Sequence, residues 1–343
     1  MDRKLATIQK IDEILPIDGA DNIELAKIKG WQAIVKKGKY KSGDLVIYCE
    51  IDSFLPIREE YEFLRKSSYK KMGSEEGFRI RTMKLKGVLS QGLILFLNVP
   101  TADGLPIRNF KVGEDVTDIL KIKKYDPPIP ACLSGKVRGN FPSFIPKTDE
   151  ERIQNIFDEV KIHFDKEWYV TEKLDGSSAT FYHNEGHFGV CSRNLELIED
   201  ENNSFWKFAK RLQLETKLKE LGNIAIQGEL IGEGIQGNPY NINGQDVFFF
   251  TVFDIDKQIR LKWKEAQLIL SILGCKTVPE VSNLNSVVDF KEVITPEIFL
   301  REAERKSALF PNVEQEGLVY RQVDSPNISF KVISNKFLLR DEK

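Results

Sequence analysis

Cysteine is scarce in this 343-residue chain, and no two of the four lie close together. Cys49, Cys132, Cys191 and Cys275 are too widely spaced for a paired zinc motif or a dense disulfide framework. Long apolar runs are missing too: none approaches 18 residues, which argues against a membrane-crossing helix. The opening Met1-Asp2-Arg3-Lys4 lacks the apolar run of a secretory signal. What is present is ordinary: 41% hydrophobic and 30% charged residues, enough to build real cores. The expectation is an intracellular protein, and the length suits two domains.

Net charge is also nearly absent, at −2, but the balance is uneven. Residues 1–124 hold 23 Lys and Arg against 18 Asp and Glu, whereas residues 125–343 hold 27 against 34. A basic front module on an acidic back module suits a polyanion-binding domain joined to a metal-using one.

The front module, 1–124, shows short β-type runs at Leu5–Ile11, Ile23–Ile28, Trp31–Val35, Leu45–Ile51 and Phe78–Leu85. Turn signals separate them at Asp18-Gly19, Lys29-Gly30, Ser42-Gly43-Asp44 and Lys86-Gly87. This spacing predicts a small closed barrel of the oligonucleotide-binding (OB) type. Arg79, Arg81, Lys84 and Lys86 share one strand-like run. Strict alternation splits them between two faces, and a bulge near Thr82-Met83 would reunite them. They are the candidate contacts to nucleic-acid phosphates, with a charge-guarded strand edge as the alternative.

Residues 126–147 hold five prolines, which predicts an irregular connector running over a second domain, 125–343. Thr148 with Glu151 reads as a capping box opening a helix, with Arg152 near its start. Beyond it, Ala179–His183 and His187–Ser192 form a predicted hairpin about Asn184-Glu185-Gly186, and a helix follows from about Asn203.

The chemistry concentrates around Glu172-Lys173-Leu174-Asp175-Gly176, where a strand ends in a tight turn at Gly176. Downstream, apolar strands carry isolated ionisable residues. Glu229 lies in Ile224–Gly232, Asp254 ends Val247–Ile255, Glu316 and Arg321 flank Gly317–Tyr320, and Lys331 interrupts Ile328–Ile333. A charge in such a strand is costly unless it is paired or bound to a ligand. One is commonly structural; the series points to a single site for a charged ligand.

Six motifs in order, Lys-x-Asp-Gly at 173–176, Ser-Arg-Asn at 192–194, Gly-Glu-Leu at 228–230, Val-Phe-Asp-Ile at 252–255, Glu-Gly-Leu-Val at 316–319 and Phe-Lys-Val-Ile-Ser at 330–334, resemble the covalent nucleotidyltransferase superfamily of ligases and mRNA capping enzymes. With Arg152-Ile153-Gln154-Asn155, the OB-like front and the ending Asn335-Lys336-Phe337, the chain resembles the RNA ligase 5 family of nick-sealing enzymes. The resemblance covers nearly the whole chain. It implies an α+β/β architecture: an N-terminal OB-type barrel, then an adenylyltransferase (ATP-grasp-like ligase) domain of antiparallel sheets with flanking helices.

The resemblance also implies an ATP-dependent RNA ligase that joins 3′-OH and 5′-phosphate ends, duplex nicks above all, through a lysyl-AMP and an adenylated RNA end. It implies ATP and Mg2+ or Mn2+ as cofactors, RNA as partner and a monomer. Lys173 is then the nucleophile, its amine lowered by burial and a nearby cation. Lys331 holds the α-phosphate. Glu229 takes the ribose hydroxyls and joins Asp175 and Glu316 in placing hydrated metal. Arg193 holds the substrate side, Arg152 the departing phosphates, and Phe253 and Val319 sandwich the adenine, with Glu172 beside them. Asp254 and Arg321 stand where the family has functional residues. Some relatives carry a second lysine two positions after the last motif lysine; Ile333 stands there, and either Lys336 serves instead or the second contact is absent. Two rivals stay open: a GTP-dependent capping-type guanylyltransferase, and a non-catalytic RNA-binding protein on a ligase scaffold.

Overall fold

The computed structural model describes residues 3–101, 111–126, 136–284 and 293–340. The chain falls into two compact units, 1–129 and 130–343. No helix among the described residues is long and apolar enough to cross a membrane.

The first unit is almost entirely β. Its strands are β1 (Ala6–Lys10), β2 (Glu13–Pro16), β3 (Ile23–Ile28), β4 (Trp31–Lys36), β5 (Leu45–Cys49), β6 (Ser53–Pro56), β7 (Tyr69–Met72), β8 (Glu75–Arg79), β9 (Thr82–Leu85), β10 (Val88–Gln91), β11 (Leu93–Leu95) and β12 (Lys123–Lys124). They pair in the orders β1-β5-β11, β2-β3-β4, β12-β6-β8-β7 and β9-β10. Alternation builds the cores: Trp31, Ala33 and Val35 of β4 point inward while Gln32 and Ile34 are half-buried. Ile8, Ile47, Leu55 and Phe78 fill one cluster, and Ala26, Trp31, Val46 and Tyr48 another.

The run read as Phe78–Leu85 is two strands. The ladder β6-β8 ends at Arg79, and β9 turns back through Lys86-Gly87 onto β10. Arg79 thus ends β8, whereas Lys84 lies on β9 and Lys86 in the turn after it. Arg79 donates to Asp52 at 2.7 Å and lies 4.6 Å over the Tyr125 ring, with both side chains of the ion pair about one-third exposed. Arg81, Lys84 and Lys86 are exposed.

The second unit carries two sheets. The larger contains β13 (Val137–Asn140), β15 (Ser177–Asn184), β16 (His187–Cys191), β17 (Leu195–Leu197), β18 (Ile224–Gly232), β19 (Gln245–Asp254) and β20 (Ile259–Arg260), in the order β13-β17-β16-β15-β18-β19-β20. The short β21 (Lys276–Thr277) lies parallel to β19. The smaller is antiparallel, β22-β14-β23-β24, from β14 (Trp168–Lys173), β22 (Glu280–Asn283), β23 (Gly317–Gln322) and β24 (Ser329–Ile333). Phe181, Ile226 and Phe249 bury the larger sheet's inner face against helices at Ser204–Arg211, Leu214–Leu221 and Trp263–Leu273. Trp168, Leu318, Tyr320 and Phe330 bury the smaller one against helices at Ile153–Val160 and Pro296–Ala303.

Three local expectations change. The proline-rich connector is partly regular: the proline-free Val137–Asn140 pairs with Leu195–Leu197, and Phe141 and Ile145 pack on the larger sheet's other face. Its residues 127–135, with Cys132, lie outside the described residues. The helix after Asn203 is two helices, broken where Gln213 takes a left-handed φ of 54°. The capping box at Thr148 does not form. Thr148 instead shares a 2.7 Å hydrogen bond with the Ser178 hydroxyl. The Lys331 N–H donates to the Glu151 carbonyl at 2.7 Å, and Arg152 bridges Lys331, so the chain lies against β24 at Glu151 and Arg152 and the helix begins at Ile153.

Candidate active site

Strand register assembles the site. Thr171 of β14 faces Val319 of β23, which faces Lys331 of β24; one step along, Lys173, Gly317 and Ile333 form the next row. Side chains repeat every second residue, so these rows share a face. That face lines a cavity of about 370 Å³, closed from the larger sheet by Ser177, Ser178, Glu229 and Phe250 and from the segment before Ile153 by Asp149, Glu150 and Arg152.

Two glycines allow the close fit. A Cβ on Gly317 would lie 2.0 Å from the Val332 carbonyl oxygen, and one on Gly176 would lie 2.3 Å from that of Leu230. Gly176 has no left-handed φ, so its role is close approach of the turn to β18, not the conformational freedom expected of it.

The Lys173 amine donates to Glu316 Oε2 at 2.6 Å. Burial pushes the amine down, but the carboxylates of Glu316, Glu229 and Asp175 outweigh burial and hold it above its ordinary value. The lowering expected from burial and a neighbouring cation is therefore reversed in this state. Burial pushes the Glu229 carboxyl up to about 8, with Lys173 pulling against it and Glu316 and Asp175 adding to it. Burial, then the charges of Lys173 and Arg152, push Lys331 down to about 8.

Glu172 is buried; one carboxylate oxygen accepts from the Ala308 N–H at 2.8 Å and the other has no protein partner. Burial raises its carboxyl, partly offset by Ser307 and the backbone of Ala308 and Leu309. Arg193, largely exposed, pairs with Asp149 at 2.7 Å. Asp175 accepts from Arg340 at 2.6 Å.

The cavity brings together Arg152, Glu172, Lys173, Asp175, Arg193, Glu229, Glu316, Val319, Arg321 and Lys331. Three candidates stay outside it. Phe253 lies farther along β19, on the face that Glu229 shares but covered by the connector, with Phe141, Tyr182 and Ala225. A bulge interrupts β19 before it: Gln227 pairs with Thr251 but Gly228 with Phe249, so Phe250 is an extra residue. Phe250 is the aromatic that lines the cavity. Asp254 closes a local turn, accepting from the Lys257 backbone and side chain. Lys336 is exposed and lies 3.7 Å from Glu304.

Sequence reasoning missed Phe250, Glu150, Tyr240 and Arg340. Glu150 and Arg321 form a buried ion pair at 2.9 Å, with Ser329 donating to the same carboxylate and Arg321 5.6 Å from the Phe250 ring. Tyr240 accepts from the Asp175 N–H at 2.6 Å and packs on Phe310. The aromatic run at 248–250 was a signal for Phe250; the others carry no motif.

Among the described residues no three acidic, histidine or cysteine side chains are close enough to cage a metal directly. Asp175, Glu229 and Glu316 are nonetheless hard oxygen donors around one cavity. That set fits a hydrated Mg2+ or Mn2+ held through water and a substrate's phosphates.

A family model of an OB-fold domain matches residues 5–97, and one of RNA ligases matches residues 166–333. No curated protein matches the chain. Solved structures do. Naegleria gruberi RNA ligase with PPi is 42% identical over 98% of both chains, with a TM-score of 0.79. A lysine-to-methionine mutant of that ligase with AMP and Mn is 42% identical over 98% of both chains, with a TM-score of 0.80. A lysine-to-alanine mutant with ATP and Mn is 41% identical over the same shares, also at 0.80.

Proposed function

The chain belongs to the RNA ligase family, and from that premise we propose that it joins RNA 3′-OH and 5′-phosphate ends, duplex nicks above all, through a lysyl-AMP on Lys173. It is an ATP-dependent RNA ligase with an N-terminal OB-fold domain, using a divalent metal. The observation carrying the proposal is convergence: Lys173, Lys331 and the three carboxylates meet in one nucleotide-sized cavity.

Lys173 attacks the α-phosphorus of ATP; an N–P bond forms, the bond to pyrophosphate breaks, and the amine loses its proton. An ordinary lysine at pH 7 costs about 4.6 kcal/mol to deprotonate. The Glu316 contact adds to that cost, so Glu316 must exchange its partner as ATP binds. A bound divalent cation supplies the positive charge that offsets the carboxylates and the phosphates. Lys331 and Arg152, joined along β24, face the polyphosphate and stabilise charge during attack and departure. Val319 and Phe250 offer two sides for the base. The unpartnered Glu172 oxygen suits the amino group of adenine, where guanine carries a carbonyl. This favours ATP over GTP and disfavours the capping-type reading. The AMP then passes to the RNA 5′-phosphate, which Arg193 holds, and the 3′-OH displaces it. Glu229 positions the ribose throughout. Arg81, Lys84 and Lys86 of the OB-fold domain meet RNA phosphates.

Sealing tests the substrate. A duplex RNA nick with 3′-OH and 5′-phosphate ends should be joined faster than the same strands unannealed. Equal rates on single strands would reject the duplex preference.

A further inference from the structure

We propose that Arg340 is a positioning residue for this reaction, holding the Asp175 carboxylate where the adenylylation step uses it. The inference rests on the ligase reading above.

Arg340 follows the short helix Asn335–Leu339, beyond the last motif. Its guanidinium reaches back to the motif turn and donates to Asp175 Oδ2 at 2.6 Å, with the side chains 33% and 18% exposed. The guanidinium itself is fixed, stacked on the Phe337 ring at 3.6 Å. The helix that carries it is fixed too. Ser334 caps it by accepting from the Phe337 N–H at 3.2 Å, and the Ser334 N–H donates to the Glu316 carbonyl at 2.9 Å. One short segment therefore ties the residue facing Lys173 to the residue two positions after Lys173. The Asp175 backbone is held separately, by Tyr240. The torsions of its side chain are what Arg340 restrains.

A solvated clasp at the chain's end would need none of this anchoring. The bound arginine engages one carboxylate oxygen and leaves the second to a ligand's water. Its partner Asp175 lines the cavity together with Ile333.

The test uses the full chain and the variants Arg340→Ala and Arg340→Lys. Mn2+ binding is read by electron paramagnetic resonance with α,β-methylene-ATP, and single-turnover adenylylation is followed against Mn2+ concentration. Arg340→Ala should weaken Mn2+ binding about fivefold or more and raise the half-saturating metal concentration. Its melting midpoint should stay within about 3 °C, as expected for a half-exposed pair. Arg340→Lys should recover most of the loss. Unchanged Mn2+ binding in Arg340→Ala, or an Arg340→Lys no better than alanine, would overturn the proposal while leaving the ligase reading intact. A wild-type chain that takes no label from ATP would remove both.

Discussion

Replacing Gly176 by alanine tests the idea that the motif turn must touch the neighbouring sheet. The new Cβ would lie 2.3 Å from the Leu230 carbonyl oxygen, 2.7 Å from Ile231 Cγ2 and 2.9 Å from Glu229 Cγ. The first is backbone, paired through Ser177 to β15, and cannot swing aside. Restoring ordinary contact needs a shift of about 1 Å in the turn that carries Lys173 and Asp175. Overpacking of this kind costs about 1–3 kcal/mol. In a unit of this size that is a fall of roughly 3–10 °C in melting temperature. A misplacement of about 1 Å at reacting groups costs on the order of 100-fold in rate. Calorimetry and single-turnover adenylylation measure the two. Gly186→Ala is the control, because Gly186 has φ +83° but nothing within 4 Å of a new Cβ, so it should lose a little stability and no rate. Gly176→Ala with wild-type rate and melting point would refute the close-packing argument.

Further outcomes follow from the same geometry. Phe250→Ala should raise the ATP KM several-fold with little change in melting point, whereas Phe253→Ala should cost about 3–5 kcal/mol of stability and leave the KM alone; the reverse pattern in paired kinetics and denaturation would restore Phe253 to the base site. Burial alone would raise Glu150, but Arg321 and Arg260 outweigh it and hold its carboxyl below 4.5 in the fold. The unfolded chain thus protonates first, so this group's stabilisation is full above about pH 5 and is lost as pH falls through the lowered folded value. Glu150→Gln should cost about 3–5 kcal/mol at pH 7 and flatten the acid limb of stability against pH, as read by urea melts. Deleting residues 1–124 should abolish nick sealing while sparing self-adenylylation, since the candidate nucleotide-site residues all lie in the second unit; a soluble, folded fragment without label would count against that division.

Much of the site was legible because Lys173, Glu229, Val319 and Lys331 sit on strands whose apolar neighbours declare their faces. Lys173, Val319 and Lys331 become neighbours through simple antiparallel register. What periodicity cannot convey is where a strand departs from it. The bulge adds Phe250 to β19 beside the cavity, three residues before the aromatic chosen from the motif, which the connector covers instead. Thr148 and Glu151 match a capping box, yet the backbone there gains more by pairing along Lys331. Glu150 with Arg321, and Asp175 with Arg340, are contacts across 171 and 165 residues of chain. Only the fold brings such partners together, and no local pattern marks them.

Everything in the mechanism follows from covalent adenylylation of Lys173. The direct measurement is incubation of the pure protein with α-labelled ATP and Mg2+ or Mn2+, beside Lys173→Ala, followed by denaturing electrophoresis. Label should survive denaturation, disappear in Lys173→Ala and fail to form from labelled GTP. No label under either metal, or equal label in Lys173→Ala, would contradict adenylylation of Lys173 and favour a non-catalytic RNA-binding protein on a ligase scaffold.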